Sequence, residues 1–261
     1  MTRRTLPALS GGAAVALMAG IDGGLAANPN VAVARNVRVS ASDGTALATD
    51  LYFPAQGGAV DFKRSYPTVL LRSPYAHLGP LGDHVALSFC ARGYAVAVQD
   101  SRGTGRSEGT FEPMRNESWG SHRDGADTAA WLVRQPWSNG KFYAYGGSYL
   151  GGTALLLTPM GLPGLTAGFV ENAAVNLFNS GWVYRDGLFC QATALFWTGM
   201  MASQALRGQP DRLAALSPPP APSPAAGGEN AFQFPDPAVV ARLPADVPLN
   251  EAPIVKHVPF Y

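Results

Sequence analysis

The stretch Phe142-Tyr143-Ala144-Tyr145-Gly146-Gly147-Ser148-Tyr149-Leu150-Gly151-Gly152-Thr153-Ala154-Leu155-Leu156-Leu157 decides how this chain is read. Phe142 to Tyr145 is a short strand, and Gly151 to Leu157 opens a helix. Between them a glycine-rich turn carries one serine at its tip. A nucleophile elbow needs that arrangement: a strand running straight into the serine and a helix leaving it. Gly146 and Gly147 permit the sharp turn, while Gly151 and Gly152 let the helix approach the sheet. The backbone N–H of Tyr149, at a helix N-terminus, is aimed at an oxyanion beside Ser148. The alternative is a glycine-rich strand-to-helix turn with no chemistry, and the segment alone leaves both open.

A strict Gly-x-Ser-x-Gly match lies elsewhere, at Gly105-Arg106-Ser107-Glu108-Gly109, whereas position 150 is Leu where the general pattern has Gly. In a chain with 30 glycines one accidental match is unsurprising. Ser107 has no strand running into it and no helical pattern after it, so it reads as a loop serine.

Outward from the turn the pattern alternates between strand and helix. Val37–Val39 and Leu47–Phe53 read as a hairpin across Asp43-Gly44. Thr68–Leu71 and Tyr94–Val98 are short continuous apolar runs, typical of strands buried on both faces. Leu81 to Ala91 has helical spacing and stops at Gly93, so strand–helix–strand implies a parallel pair. A second helix runs around Gly125 to Gln135, with Asp124 and Asp127 at its start. The fold class is α/β, with functional groups at the C-terminal ends of the strands.

Composition narrows the function. Hydrophobic residues make up 47% and charged residues 14%, against about a quarter charged in typical chains, which is ample material for a core. The net charge of +1 gives no field to hold a phosphate backbone, so nucleic acid is not an expected partner. Cys90 and Cys190 are the only cysteines, too few for a zinc cluster or a disulfide framework; they form two thiols or a single bridge. No phosphate loop, metal-ligand cluster or dinucleotide fingerprint is present, and no cofactor is expected.

Residues 1–27 read as an export segment: Arg3-Arg4, then the apolar run Gly11 to Gly20, then the small residues Gly24 to Ala27. The run is too short to span a bilayer, and Thr2-Arg3-Arg4-Thr5-Leu6 resembles a twin-arginine signal. That reading places the protein in the periplasm or outside the cell. Toward the other end, Ser217 to Gly228 is a proline-rich extended stretch.

Several ordered motifs together resemble the cocaine esterase/X-Pro dipeptidyl-peptidase group of α/β-hydrolases. They are Asp43-Gly44-Thr45 with Asp50-Leu51-Tyr52, Arg72-Ser73-Pro74-Tyr75, Gln99-Asp100-Ser101-Arg102-Gly103 with Ser107-Glu108-Gly109, Asp124-Gly125 with Gln135-Pro136-Trp137, and the elbow Gly146-Gly147-Ser148-Tyr149-Leu150-Gly151. The resemblance implies Ser148 as nucleophile, with the Tyr75 hydroxyl and the Tyr149 N–H as oxyanion donors. Ser107 falls within a structural loop of the group. The resemblance also implies that residues 28–172 are the N-terminal part of the catalytic domain and 173–261 a helical cap region, in which Trp182 and Phe178 line an acyl pocket or form ordinary cap core. Asp100 and Arg102 are read as a loop brace. The resemblance implies a small ester or peptide as substrate.

The resemblance also implies a base: a histidine held by a carboxylate, both after the serine in chain order. After Ser148 the sequence holds one histidine, His257. Pro248 to Tyr261 resembles the last part of the cap, so the acid and histidine are expected beyond Tyr261, in a chain that reads as truncated. Two readings follow, a serine hydrolase of ester or amide bonds and a non-catalytic acyl-ligand binder.

Overall fold

Val69 and Leu71 pack on one face of a central sheet and Leu70 on the other; Val96 and Val98 are divided from Ala95 and Ala97 in the same way. This alternation is why both segments read as unbroken apolar runs: helices cover the sheet on both sides. The computed structural model describes residues 21–22, 28–78, 80–176, 181, 183–206 and 211. In chain order the elements are β1 (Ile21–Asp22), β2 (Val31–Ser40), β3 (Ala46–Pro54), β4 (Tyr66–Ser73), α1 (Pro80–Cys90), β5 (Ala95–Asp100) and α2 (Asp124–Val133). Then follow β6 (Ser138–Gly147), α3 (Ser148–Leu157), β7 (Leu165–Glu171), β8 (Tyr184–Arg185), β9 (Leu188–Phe189) and α4 (Gln191–Ala205).

The main sheet has 7 strands in the order β1-β2-β3-β5-β4-β6-β7. β2, β3 and β5 pair antiparallel, and β5-β4-β6-β7 is a parallel run. Ala129, Leu132, Ala154 and Leu157 of α2 and α3 join Leu51, Phe53, Leu70 and Phe142 on one face. Ala86 and Cys90 of α1 join Tyr52, Val69, Leu71, Val96 and Val98 on the other. The fold is α/β, as the alternation of elements implies.

Ordered structure begins earlier than the expected hairpin. β2 starts at Val31, and Ile21–Asp22, inside the segment read as an export signal, pairs with Val33 and Ala34. A bulge between Ala34 and Val37 hides the alternation there. Asn36 takes a left-handed φ of 55°, and its N–H donates to the buried Asp50 carboxylate at 2.8 Å. β7 offered no sequence signal because most of it is exposed and it carries no apolar run. Cys90 and Cys190 are both free, the first buried and the second half-buried.

Candidate active site

The chain leaves β4 toward β5 on one side and leaves β6 toward β7 on the other, although β4 and β6 are neighbours. Between them lies a crevice where strand order switches, the place where open α/β sheets bind ligands. Tyr75 follows β4 and Ser148 follows β6, so topology alone puts both at this crevice.

Ser148 is exposed, first in α3, with φ at 54°, the left-handed region that a serine rarely adopts. Gly147 before it is extended, with φ −108° and ψ 155°. Two close approaches hold the turn. A Cβ at Gly146 would collide with the backbone and Cβ of Leu150, and one at Gly151 would lie 2.9 Å from both the Glu171 and Gly146 carbonyl oxygens. The second glycine of the elbow is therefore displaced by one residue from the general pattern, because Gly151 is where α3 passes β6 and β7. Gly147 carries no such requirement: a Cβ there would first meet Glu171 at 3.8 Å. The strain expected at the glycines is borne by the serine.

An aromatic cluster closes one side. Tyr149 is buried and stacks on Trp197 of α4, with centroids 5.8 Å apart and planes at 8°. Tyr75 meets Tyr149 edge-on at 6.1 Å, and the Trp197 indole N–H donates to the Tyr75 hydroxyl at 3.2 Å. Phe111, Met201, Met114 and Met200 complete the cluster. Burial raises the Tyr75 phenol pKa and the Trp197 bond partly offsets this, so the phenol keeps its proton at neutral pH. The Tyr149 hydroxyl accepts the Met114 N–H at 2.9 Å, tying the loop before α2 to the residue after Ser148. Met114 and Ala76, next to Tyr75, also have left-handed φ values, 61° and 49°.

Beneath the crevice the framework is polar. Arg72, at the end of β4, is buried; its Nε lies 2.7 Å from Glu117 and its Nη1 donates to Gln99 at 2.6 Å. Gln99 donates to Thr49 and accepts from Thr128, both at 2.9 Å. Burial raises the Glu117 carboxyl pKa and Arg72 draws it back down. The Thr153 hydroxyl of α3 is shared between the Leu150 carbonyl at 2.8 Å and the Arg72 carbonyl at 3.3 Å. The helix that begins at Ser148 is thus tied to the strand that leads to Tyr75.

The loop brace read from Asp100 and Arg102, by Asp–Arg pairing or backbone hydrogen bonds, is present, and Arg102 supplies its larger part. Arg102 grips Asp124 at the start of α2 with two bonds of 2.9 and 2.6 Å, and Asp43 in the β2–β3 turn with two of 2.8 and 3.1 Å. Asp100 accepts the Arg106 N–H at 2.9 Å. Ser107 is buried; its hydroxyl accepts the Ala48 N–H at 2.9 Å and donates to the Asp100 carbonyl at 2.7 Å.

Phe178, Trp182 and His257 lie outside the described residues. His84 is exposed on α1, and His122 sits 3.2 Å from Asp43 on the far end of the Arg102 brace. Among the described residues no group of three or more His, Cys, Asp or Glu is placed to hold a metal, and no helix is long and apolar enough to cross a membrane. The residue that sequence reasoning missed is Trp197. Its helix does not sort polar from apolar residues onto separate faces, so the pattern gave that indole no direction.

Residues 43–219 match the family described as X-Pro dipeptidyl-peptidase (S15 family). The chain is 32% identical over 186 residues to a cocaine esterase of Rhodococcus sp. (strain MB1 Bresler), covering 70% of this chain and 31% of that protein. Among solved structures it is similar to an aminopeptidase from a marine sediment Thaumarchaeota archaeon, at 27% identity and a TM-score of 0.55, over 66% of this chain and 30% of that one. An α-amino acid ester hydrolase matches at 24% identity and a TM-score of 0.57, over 78% of this chain and 34% of its own, and shares the fold. The chain therefore spans about a third of the length of these relatives. With its mixed sheet and strand-to-helix serine turn, this chain belongs to the X-Pro dipeptidyl-peptidase family of α/β-hydrolases.

Proposed function

We propose that Ser148 is the nucleophile of a serine hydrolase acting on ester or amide carbonyls. The observation that carries this reading is the left-handed φ of an exposed serine between β6 and α3. Ser148 Oγ attacks the carbonyl carbon and its proton passes to a general base. The oxyanion is received by the Tyr149 N–H, unpaired within the first turn of α3, and by the Tyr75 hydroxyl. Collapse expels the alcohol or amine, which takes up the proton and leaves an acyl-serine for water to hydrolyse. The base is a histidine supplied in the chain order of the fold. The relative's activity on cocaine ester and the family's X-Pro peptide chemistry both support a small ester or peptide substrate, with no cofactor in any step.

Acyl-ligand binding without turnover is the alternative reading. Labelling of purified protein with a fluorophosphonate probe separates the two. The hydrolase reading predicts labelling of wild type and of Ser107→Ala but not of Ser148→Ala. Equal labelling of wild type and Ser148→Ala removes Ser148 as nucleophile. A folded wild type that takes no label overturns the hydrolase reading. Residues 1–27 are proposed as an export signal, and N-terminal sequencing of protein recovered from outside the cytoplasm tests that cleavage.

A further inference from the structure

Trp197 sits on α4, far along the chain from either oxyanion donor, yet it touches both residues that supply them. Its ring lies parallel to Tyr149 at 5.8 Å, and its Nε1 is 3.2 Å from the Tyr75 hydroxyl oxygen. An indole N–H can only donate, so the Tyr75 oxygen is the acceptor in this bond. Conjugation keeps a phenol proton near the ring plane, which leaves two rotamers. A phenol proton cannot share a lobe with the donated indole hydrogen, so the bond from Trp197 favours the rotamer that points away from it. We propose that Trp197 is a positioning residue for the oxyanion hole: its indole N–H fixes the Tyr75 hydroxyl rotor so that the phenol proton is presented to the oxyanion at Ser148. The helix of the cap region is thereby coupled to the chemistry through one donated proton as well as through packing.

This inference rests on the reading of Tyr75 as an oxyanion donor, and the test separates the two. An arylboronic acid adds to a serine hydroxyl to give a tetrahedral boronate, releasing a proton, and one boron-bound oxygen stands in for the oxyanion. Its affinity is measured by boron NMR for wild type, Trp197→Phe, Tyr75→Phe and the double variant. Loss of one neutral hydrogen bond predicts that Trp197→Phe weakens binding by roughly five- to tenfold. In the Tyr75→Phe background the same change should weaken it no further. Equal weakening in both backgrounds makes Trp197 a wall of the site only, and overturns the proposal. If Tyr75→Phe binds boronate as tightly as wild type, the Tyr75 reading fails first. A wild type that takes no boronate removes the Ser148 reading and this proposal with it. A readout independent of Trp197 variants is the set of 5 indole N–H resonances, one for each tryptophan. Tyr75→Phe should move one of them upfield and speed its exchange with solvent, and a spectrum in which none moves overturns the hydrogen bond itself.

Discussion

Two glycine-flanked serines lie in this molecule, and the one that fits the general pattern is the buried one. In the loop of Gly105 to Gly109 both glycines are needed, for left-handed φ values of 50° and 86° and to clear the side chains of Asp100 and Arg102. A Cβ at Gly105 would collide with the Asp100 carboxylate, and one at Gly109 would lie 2.8 Å from Arg102 Cγ. Ser107 between them is buried with its hydroxyl engaged on both sides. In the turn of Gly146 to Gly151 the glycines clear a helix instead, and the serine is pushed outward into a left-handed conformation. Spacing alone does not distinguish the two. What lies before and after the serine does, because only a strand entering and a helix leaving force the side chain to the surface.

The largest effect is expected at the elbow glycines. Gly146→Ala must move Leu150 or the strand, and is expected to cost more than about 4 kcal/mol or to prevent folding. Gly147→Ala, extended and open, should stay within about 1 kcal/mol of wild type in urea denaturation. Similar costs for the two would mean that the turn is not held by the close approach of α3.

Ser107→Ala leaves the buried Ala48 N–H without its acceptor, and should lower unfolding free energy by about 1–3 kcal/mol. It should leave fluorophosphonate labelling untouched. A variant as stable as wild type would mean that the Ser107 hydroxyl does not staple the loop to β3.

The smallest effect is in acid. The Arg102 guanidinium beside it and the Thr45 N–H hold the Asp43 carboxyl well below the usual carboxylate range. A depressed folded-state pKa means this stabilisation is present above the unfolded value of about 4 and is lost as pH falls below it. Asp43→Asn should flatten the drop in melting temperature between about pH 5 and pH 2. An unchanged acid limb would remove Asp43 from the brace, and surface exposure keeps the expected change small.

Much of the fold could be read from particular residues. Thr68–Leu71 and Tyr94–Val98 announced doubly buried strands, and the turn at Ser148 announced the crevice. What stayed hidden has physical reasons. β7 is exposed over most of its length, so it lacked the apolar run that marks its neighbours. The bulge at Asn36 broke the alternation of β2. The Arg72–Glu117 pair and the Arg102 grip on Asp43 and Asp124 join positions far apart in sequence, and nothing in local spacing reports them. Trp197 was missed for the same reason: it reaches Tyr75 across 122 positions of chain.

The fold holds Ser148, and not Ser107, in a strained conformation at the switch point of the sheet. Urea denaturation of Ser148→Gly beside Ser148→Ala reads that strain. Glycine adopts a left-handed φ without a Cβ penalty, so Ser148→Gly should gain about 1 kcal/mol over Ser148→Ala. If Ser148→Gly is instead the less stable of the two, residue 148 carries no stored strain and the elbow account is wrong.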